Sequence, residues 1–146
     1  MEVHFLPAGT TGKDIQELRK KCDCIMIDLK KLNNTNDSFI VDDESFDFRL
    51  QPLRLIVIQL KDLQRSWSIL NDRFRRNTMI IASDEDVRSN PVVCQYLESQ
   101  GVALLMTKKN EDGFLSYEGL MKSLSSLQFK SILVEDRIDL IKELSL

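Results

Sequence analysis

The run Leu18-Arg19-Lys20-Lys21-Cys22-Asp23-Cys24-Ile25-Met26-Ile27 passes from a charged, helix-compatible segment straight into an unbroken apolar stretch. A strand with one face in water alternates apolar and polar residues, whereas a strand covered on both faces is apolar throughout. Cys24 to Ile27 is of the second kind. So are Leu55-Ile56-Val57-Ile58, Met79-Ile80-Ile81-Ala82, Val102 to Met106 and Ser131-Ile132-Leu133-Val134. Helical spacing fills the gaps. Ile15 and Leu18 share one face of Asp14 to Lys21, and Tyr117, Leu120, Met121, Leu124 and Leu127 share one face of a segment that Ser116 can cap. Asn90 precedes Pro91, and Gly101 follows Gln100, the asymmetric end signals of a helix over 91–100. Leu63 to Leu70 is read as a further helix, and a last one is expected from Asp136, burying Ile138, Ile141 and Leu144. Strands alternating with helices predict one α/β domain over 1–146, a mostly parallel sheet with flanking helices. Residues 1–12 are expected to fray and 28–51 to form a long loop.

Composition narrows the function classes. The chain has 146 residues, 29% of them charged, with a net charge of −3, which is too apolar and too weakly charged for disorder. A mild acidic excess argues against a phosphate-driven nucleic-acid binder. Apolar runs of four residues, such as Ala103-Leu104-Leu105-Met106, are too short to span a membrane. The start lacks the pattern of a signal peptide. Three cysteines, an odd number, fit reduced thiols and a cytoplasmic location.

Isolated motifs carry little chemistry. Cys22-x-Cys24 has no second pair and no nearby histidine, so Cys24 reads as a small core residue rather than a metal ligand. His4, the one histidine, falls in the terminus expected to fray. Gly9 and Gly12 precede a helix and could offer N–H groups to an anion, but no strand is visible ahead of them. The segment Asp42-Asp43-Glu44-Ser45-Phe46-Asp47-Phe48-Arg49 leads into a strand, the end of a parallel sheet opposite its usual ligand crevice. By itself it reads as a solvated acidic loop.

Taken in order, these pieces resemble the reductase domain of the bifunctional riboflavin-biosynthesis deaminase-reductase family, whose fold is dihydrofolate-reductase-like. The family's Leu-Arg helix end before an apolar strand is matched by Leu18-Arg19 and Cys24 to Ile27. Its Asp-Asp-Pro-x-Leu-x-x-Arg loop is matched by Asp42-Asp43 through Arg49, and its Pro-x-Arg strand by Pro52-Leu53-Arg54. Ser83-Asp84-Glu85 follows the next strand, and Gly101-Val102, Asp112-Gly113 and Val134-Glu135 continue the pattern.

The resemblance implies an NADPH-dependent reduction of a phosphorylated ribosylaminopyrimidine, 5-amino-6-(5-phosphoribosylamino)uracil. Arg19, Asp42 and Arg49 would hold the phosphorylated sugar, Glu135 would lie near substrate, and Ser83 near the adenosine half of NADPH. The sequence also departs from that pattern. Asp28-Leu29-Lys30-Lys31 replaces a Gly-x-x-Thr turn, and Asp136-Arg137 replaces a Gly-Gly. Glycine lets a backbone approach a pyrophosphate, whereas aspartate repels one. Counterparts of the family's first strand and of its terminal strands are not visible, which leaves sheet edges for a second copy or a partner chain to cover. The alternative is therefore a catalytically inactive remnant of this fold that serves as a binding or structural subunit. A third reading is a flavodoxin-like module with Asp28 as a metal or phosphoacceptor site, in which Lys108 is the one lysine near a late strand end.

Overall fold

The computed structural model describes residues 1–145. The described residues form one six-stranded sheet in the order β1-β6-β2-β3-β4-β5. The strands are β1 (Glu2–Phe5), β2 (Cys24–Asp28), β3 (Leu53–Val57), β4 (Thr78–Ser83), β5 (Ala103–Thr107) and β6 (Ser131–Val134). Every pairing between them is parallel. The helices are α1 (Gly12–Lys21), α2 (Leu29–Asn33), α3 (Asp84–Ser89), α4 (Pro91–Gln100) and α5 (Tyr117–Ser126). The α/β architecture with a parallel sheet is thus the one expected.

Apolar runs make the inner strands β2, β3, β4 and β6 because nearly every residue of these four is buried on one face or the other, whereas the edge strands β1 and β5 stay largely open. Cys24, Met26, Leu55, Val57, Ile132 and Val134 pack on one side with Leu120 and Leu124 of α5. Ile25, Ile27, Ile56, Ile80 and Ala82 pack on the other, with Leu97, Leu60, Leu70 and Phe39. Cys24 is a fully buried member of the first cluster, and burial pushes its thiol pKa up to about 12. The α4 ends were legible from capping: Pro91 stands at the start and Gly101 closes the helix at φ 76°, in the left-handed region.

Three expectations need correction. Residues 2–5 do not fray but form β1, which pairs with β6 from Glu2–Ser131 to Phe5–Val134, so a strand does precede Gly9. Its four residues, with Phe5 largely exposed, carry too little buried alternation to register as a strand in sequence. The second correction is Leu63 to Leu70, which is not an α-helix but ends in a 3₁₀ turn over Ser68–Leu70. Its carbonyls are claimed from outside: Arg54 Nη2 donates to Ile69 O and Gln100 Nε2 to Leu70 O. The third is the segment after Asp136. Ile138, Ile141 and Leu144 are buried as expected, but their spacing of three matches tight turns, with Ile141 N–H donating to Ile138 O and Leu144 N–H to Ile141 O. The expected loop over 28–51 opens with α2 and closes with a 3₁₀ turn at Phe48–Leu50.

That segment is held to the sheet by two buried arginines, of which Arg54 is the structural one. Arg54 Nη1 and Nη2 donate to Asp72 at 2.7 and 2.8 Å, Nη1 also donates to Ser38 O, and Nε donates to Thr78 Oγ1. Among the described residues no buried side-chain nitrogen or oxygen lacks a partner. Replacing one member of a buried pair leaves the other charge uncompensated. Arg54→Ala is expected to cost about 3 kcal/mol of folding stability, read as a lowered urea midpoint with unchanged slope.

Candidate functional site

In an all-parallel sheet the strand ends separate into two edges, and ligand crevices form at the carboxyl edge. Asp28, Ser83 and Glu135 stand at or just past the ends of β2, β4 and β6, so they share that edge. Arg49 precedes β3 and belongs to the opposite edge.

Glu135 lies one residue past Val134, and strand alternation turns it to the face that carries Phe39. There it meets Arg19 from α1. Arg19 Nε donates to Glu135 Oε2 at 2.8 Å and Nη2 to Oε1 at 2.7 Å, a two-pronged pair in which both residues are 1% exposed. On the other side, Nη1 and Nη2 donate to the two oxygens of Asp37 at 3.2 and 2.8 Å. The remaining Nη1 proton goes to Ile40 O at 3.0 Å. A guanidinium has five N–H donors, and all of them are used. Burial by itself would lower the Arg19 pKa, but the hydrogen bonds it donates to Glu135 and Asp37 override it, so the charge is firmly held. Burial likewise pushes the Asp37 carboxyl up, and the bonds from Arg19 and the Phe39 N–H outweigh it and hold it below the usual carboxylate range.

Structure brings together only half of the residues that the resemblance assigns to substrate. Arg19 and Glu135 meet. Asp42 comes close to α1 through its backbone, whose N–H donates to Gln16 Oε1 at 2.7 Å, while the residue itself is exposed. Arg49 is 86% exposed at its side chain and forks onto Asp47, its near neighbour, at 3.2 and 3.0 Å. Asp37, the partner that completes the Arg19 cluster, was missed in sequence because nothing distinguishes it within an Asn- and Asp-rich stretch.

A separate cavity of about 370 Å³ opens at the carboxyl ends of β3 and β4. Its polar lining includes Lys61, Ser83, Asp86, Asn90 and Lys109. Ser83 is therefore at the edge where the resemblance sets it, but its Oγ accepts the Asp86 N–H as the cap of α3. The Asp86 carboxylate in turn accepts from the Leu60 N–H and from Asn90 Nδ2. The first turn of α3 carries Asp84, Glu85 and Asp86, and its Glu85 and Asp86 N–H groups already donate to Asp84 Oδ1 and Ser83 Oγ.

Two further acids stand near the same edge. Asp28 caps α2 through the Lys31 N–H; burial and the neighbouring Asp139 and Asp136 raise its pKa, only partly offset by that hydrogen bond and Lys30. Asp136 has φ 99°, a conformation suited to glycine, so the backbone takes a glycine-like turn with a carboxylate on it. These residues do not fit the pyrophosphate of NADPH: the turn that could cradle it is acidic and the helix start beside it is already capped.

The fold has known counterparts. RibD from Acinetobacter baumannii superposes with a TM-score of 0.68 at 18% identity, over 95% of this chain and 40% of that one. The riboflavin biosynthesis reductase Rib7 of Saccharomyces cerevisiae gives 0.63 at 14%, over 92% and 59%. A pyrimidine reductase-like protein from Corynebacterium diphtheriae gives 0.64 at 13%, over 97% and 66%. The chain thus spans about two fifths of the RibD chain and shares the fold of its matched part. No family model matches the sequence, and no curated protein matches it.

Two stability predictions follow from the acidic edge. Asp136→Gly is expected to raise stability by about 1 kcal/mol by relieving the positive φ, read as a higher Tm. Asp28→Asn keeps the helix cap, since asparagine caps as well as aspartate, and removes a buried charge. A raised folded pKa means that ionised Asp28 destabilises the fold at neutral pH and that this cost disappears as pH falls through the raised value. The variant should therefore melt higher than wild type at neutral pH, and the advantage should vanish below about pH 4.

Proposed function

We propose that this protein is a binding module built on a riboflavin-reductase fold, not a working NADPH-dependent reductase. The observation that carries the reading is Arg19. A residue that would grip a sugar phosphate needs free donors, and all five N–H groups of Arg19 are spent on Glu135, Asp37 and Ile40. The acidic turn at Asp136 supports it from the cofactor side. The cavity beside Ser83 suits a polar ligand of nucleoside size, with Lys61 and Lys109 in its lining to donate to hydroxyl and carbonyl groups.

Sheet order places β1 and β5 at the two edges, and Phe5 and Met106 are exposed on them. Exposed parallel edges invite pairing, so we propose that a second copy or a partner chain covers one of them. The second reading, an active reductase of a phosphorylated ribosylaminopyrimidine, is favoured by the same cavity at the carboxyl edge, where Ser83 and two lysines would face the cofactor's adenosine half.

Nicotinamide absorbance separates the two. With NADPH and 5-amino-6-(5-phosphoribosylamino)uracil, the purified protein is expected to oxidise no cofactor above the protein-free rate. Calorimetry is expected to give no saturable NADPH binding. Turnover proportional to protein concentration would overturn the binding-module reading.

A further inference from the structure

Strand β1 leaves half of its backbone unpaired. The Glu2 N–H donates to Lys130 O at 2.8 Å, and the Leu6 N–H donates to Val134 O at 3.2 Å. Main-chain groups of a strand point alternately to its two sides, so those of Glu2, His4 and Leu6 face β6. Those of Met1, Val3 and Phe5 face away. Among the described residues, β6 is the one strand that pairs with β1. The opposite edge is less open. Beyond β5 the chain folds back at the Lys109–Leu115 bridge, and the Ser116 N–H donates to Lys108 O.

Side chains along β1 alternate between the two faces of the sheet. Val3 and Phe5 stand opposite Ile132 and Val134, which pack with α5, and alternation sets Met1 on that face too. Phe5 is 58% exposed there and Met1 41%. Glu2 and His4 occupy the other face, with a carboxylate oxygen 3.4 Å from the imidazole Nε2 and both side chains open to solvent. An apolar strip and an acid–imidazole pair therefore flank a row of unpaired main-chain groups.

We propose that β1 is a self-association edge, at which two copies of this chain join their β1 strands antiparallel about a two-fold axis through Val3. This deepens the binding-module reading and rests on it for the view that a sheet edge is covered. The register follows from which groups must meet. A two-fold join can be centred on Glu2, Val3, His4 or Phe5. A centre on Glu2 sets two carboxylates directly opposite each other, which opposes pairing. A centre on His4 sets two imidazoles together and leaves each Glu2 without a counterpart across the join. A centre on Phe5 places Val3 opposite Pro7, which has no N–H to give. The centre on Val3 meets every demand. Val3 exchanges two hydrogen bonds with its copy, Met1 lies opposite the second copy's Phe5, and Glu2 lies opposite the second copy's His4. The exposed apolar side chains then cover one another, and each carboxylate gains an imidazole across the join. Two such short strands make a small contact, so the dimer is weak and depends on concentration.

Sedimentation equilibrium of the full chain, from micromolar to millimolar, is expected to show a reversible monomer–dimer equilibrium. Val3→Pro removes an N–H that points away from β6, a position where an edge strand tolerates proline. Both central hydrogen bonds of the join are lost, so the dimer is expected to weaken about tenfold or more. Hydrogen exchange at the His4 and Leu6 amides reports that β1 stays on β6 in this variant. His4→Glu sets carboxylates opposite each other and is expected to weaken the dimer as well. Adding Glu2→Lys to it restores opposite charges and is expected to bring association back to within about threefold of wild type. The charge variants carry the comparison if the proline variant does not fold. A wild type that stays monomeric throughout, a Val3→Pro dimer as tight as wild type, or a double charge variant no tighter than His4→Glu would each sink the proposal. A monomer would leave the binding-module reading standing, whereas NADPH turnover would overturn that reading and leave the dimer untouched.

Discussion

Arg19 joins three parts of the chain that are remote in sequence: the last turns of α1, the loop after α2 and the end of β6. A buried guanidinium is tolerable only when its donors are satisfied and its charge is balanced. Those two demands set the course of the chain from Asp37 to Ile40, because one carboxylate and one carbonyl must reach the cation. They also constrain α1, which must deliver Arg19 beside Glu135. That cluster ties the carboxyl end of β6 to α1 and to the loop after α2.

Arg54 works in the same way from β3. It takes the Ser38 carbonyl, so the same loop is pinned by two arginines through carbonyls two residues apart. A loop so anchored is part of the core, which is why Phe39 is buried at φ 53° in a segment otherwise rich in Asn and Asp. Charge is distributed unevenly along the carboxyl edge. The cavity by β3 and β4 is lined by both signs, Lys61 and Lys109 with Glu85 and Asp86, while the turn after β6 carries Asp136 with Asp28 and Asp139 close by. Fold likeness to riboflavin reductases is compatible with either chemistry, since a scaffold does not dictate what its site does.

Much of the scaffold was legible because it follows from local rules. Continuous apolar runs marked five of the six strands, and Asn90-Pro91 with Gly101 marked α4 to the residue. Short elements were not legible. Strand β1 is four residues long and draws its stability from pairing with β6, and α2 is a single turn capped by Asp28. Ile138, Ile141 and Leu144 announced burial correctly, but a three-residue spacing is shared by a helix face and by successive tight turns.

The candidate site divides along the same line. Residue types and order in the sequence by themselves determined a doubly covered parallel sheet and a buried Cys24, and the family resemblance singled out Arg19 and Glu135 separately, without joining them as a pair. Only the tertiary structure decided that these two meet and that Asp37 completes the pair, that Arg49 forks onto Asp47 instead, and that Asp136 keeps a glycine-like turn. Burial patterns are local and periodic, so a sequence displays them. Saturation of a guanidinium depends on which distant groups converge on it, and only the folded chain brings those groups together.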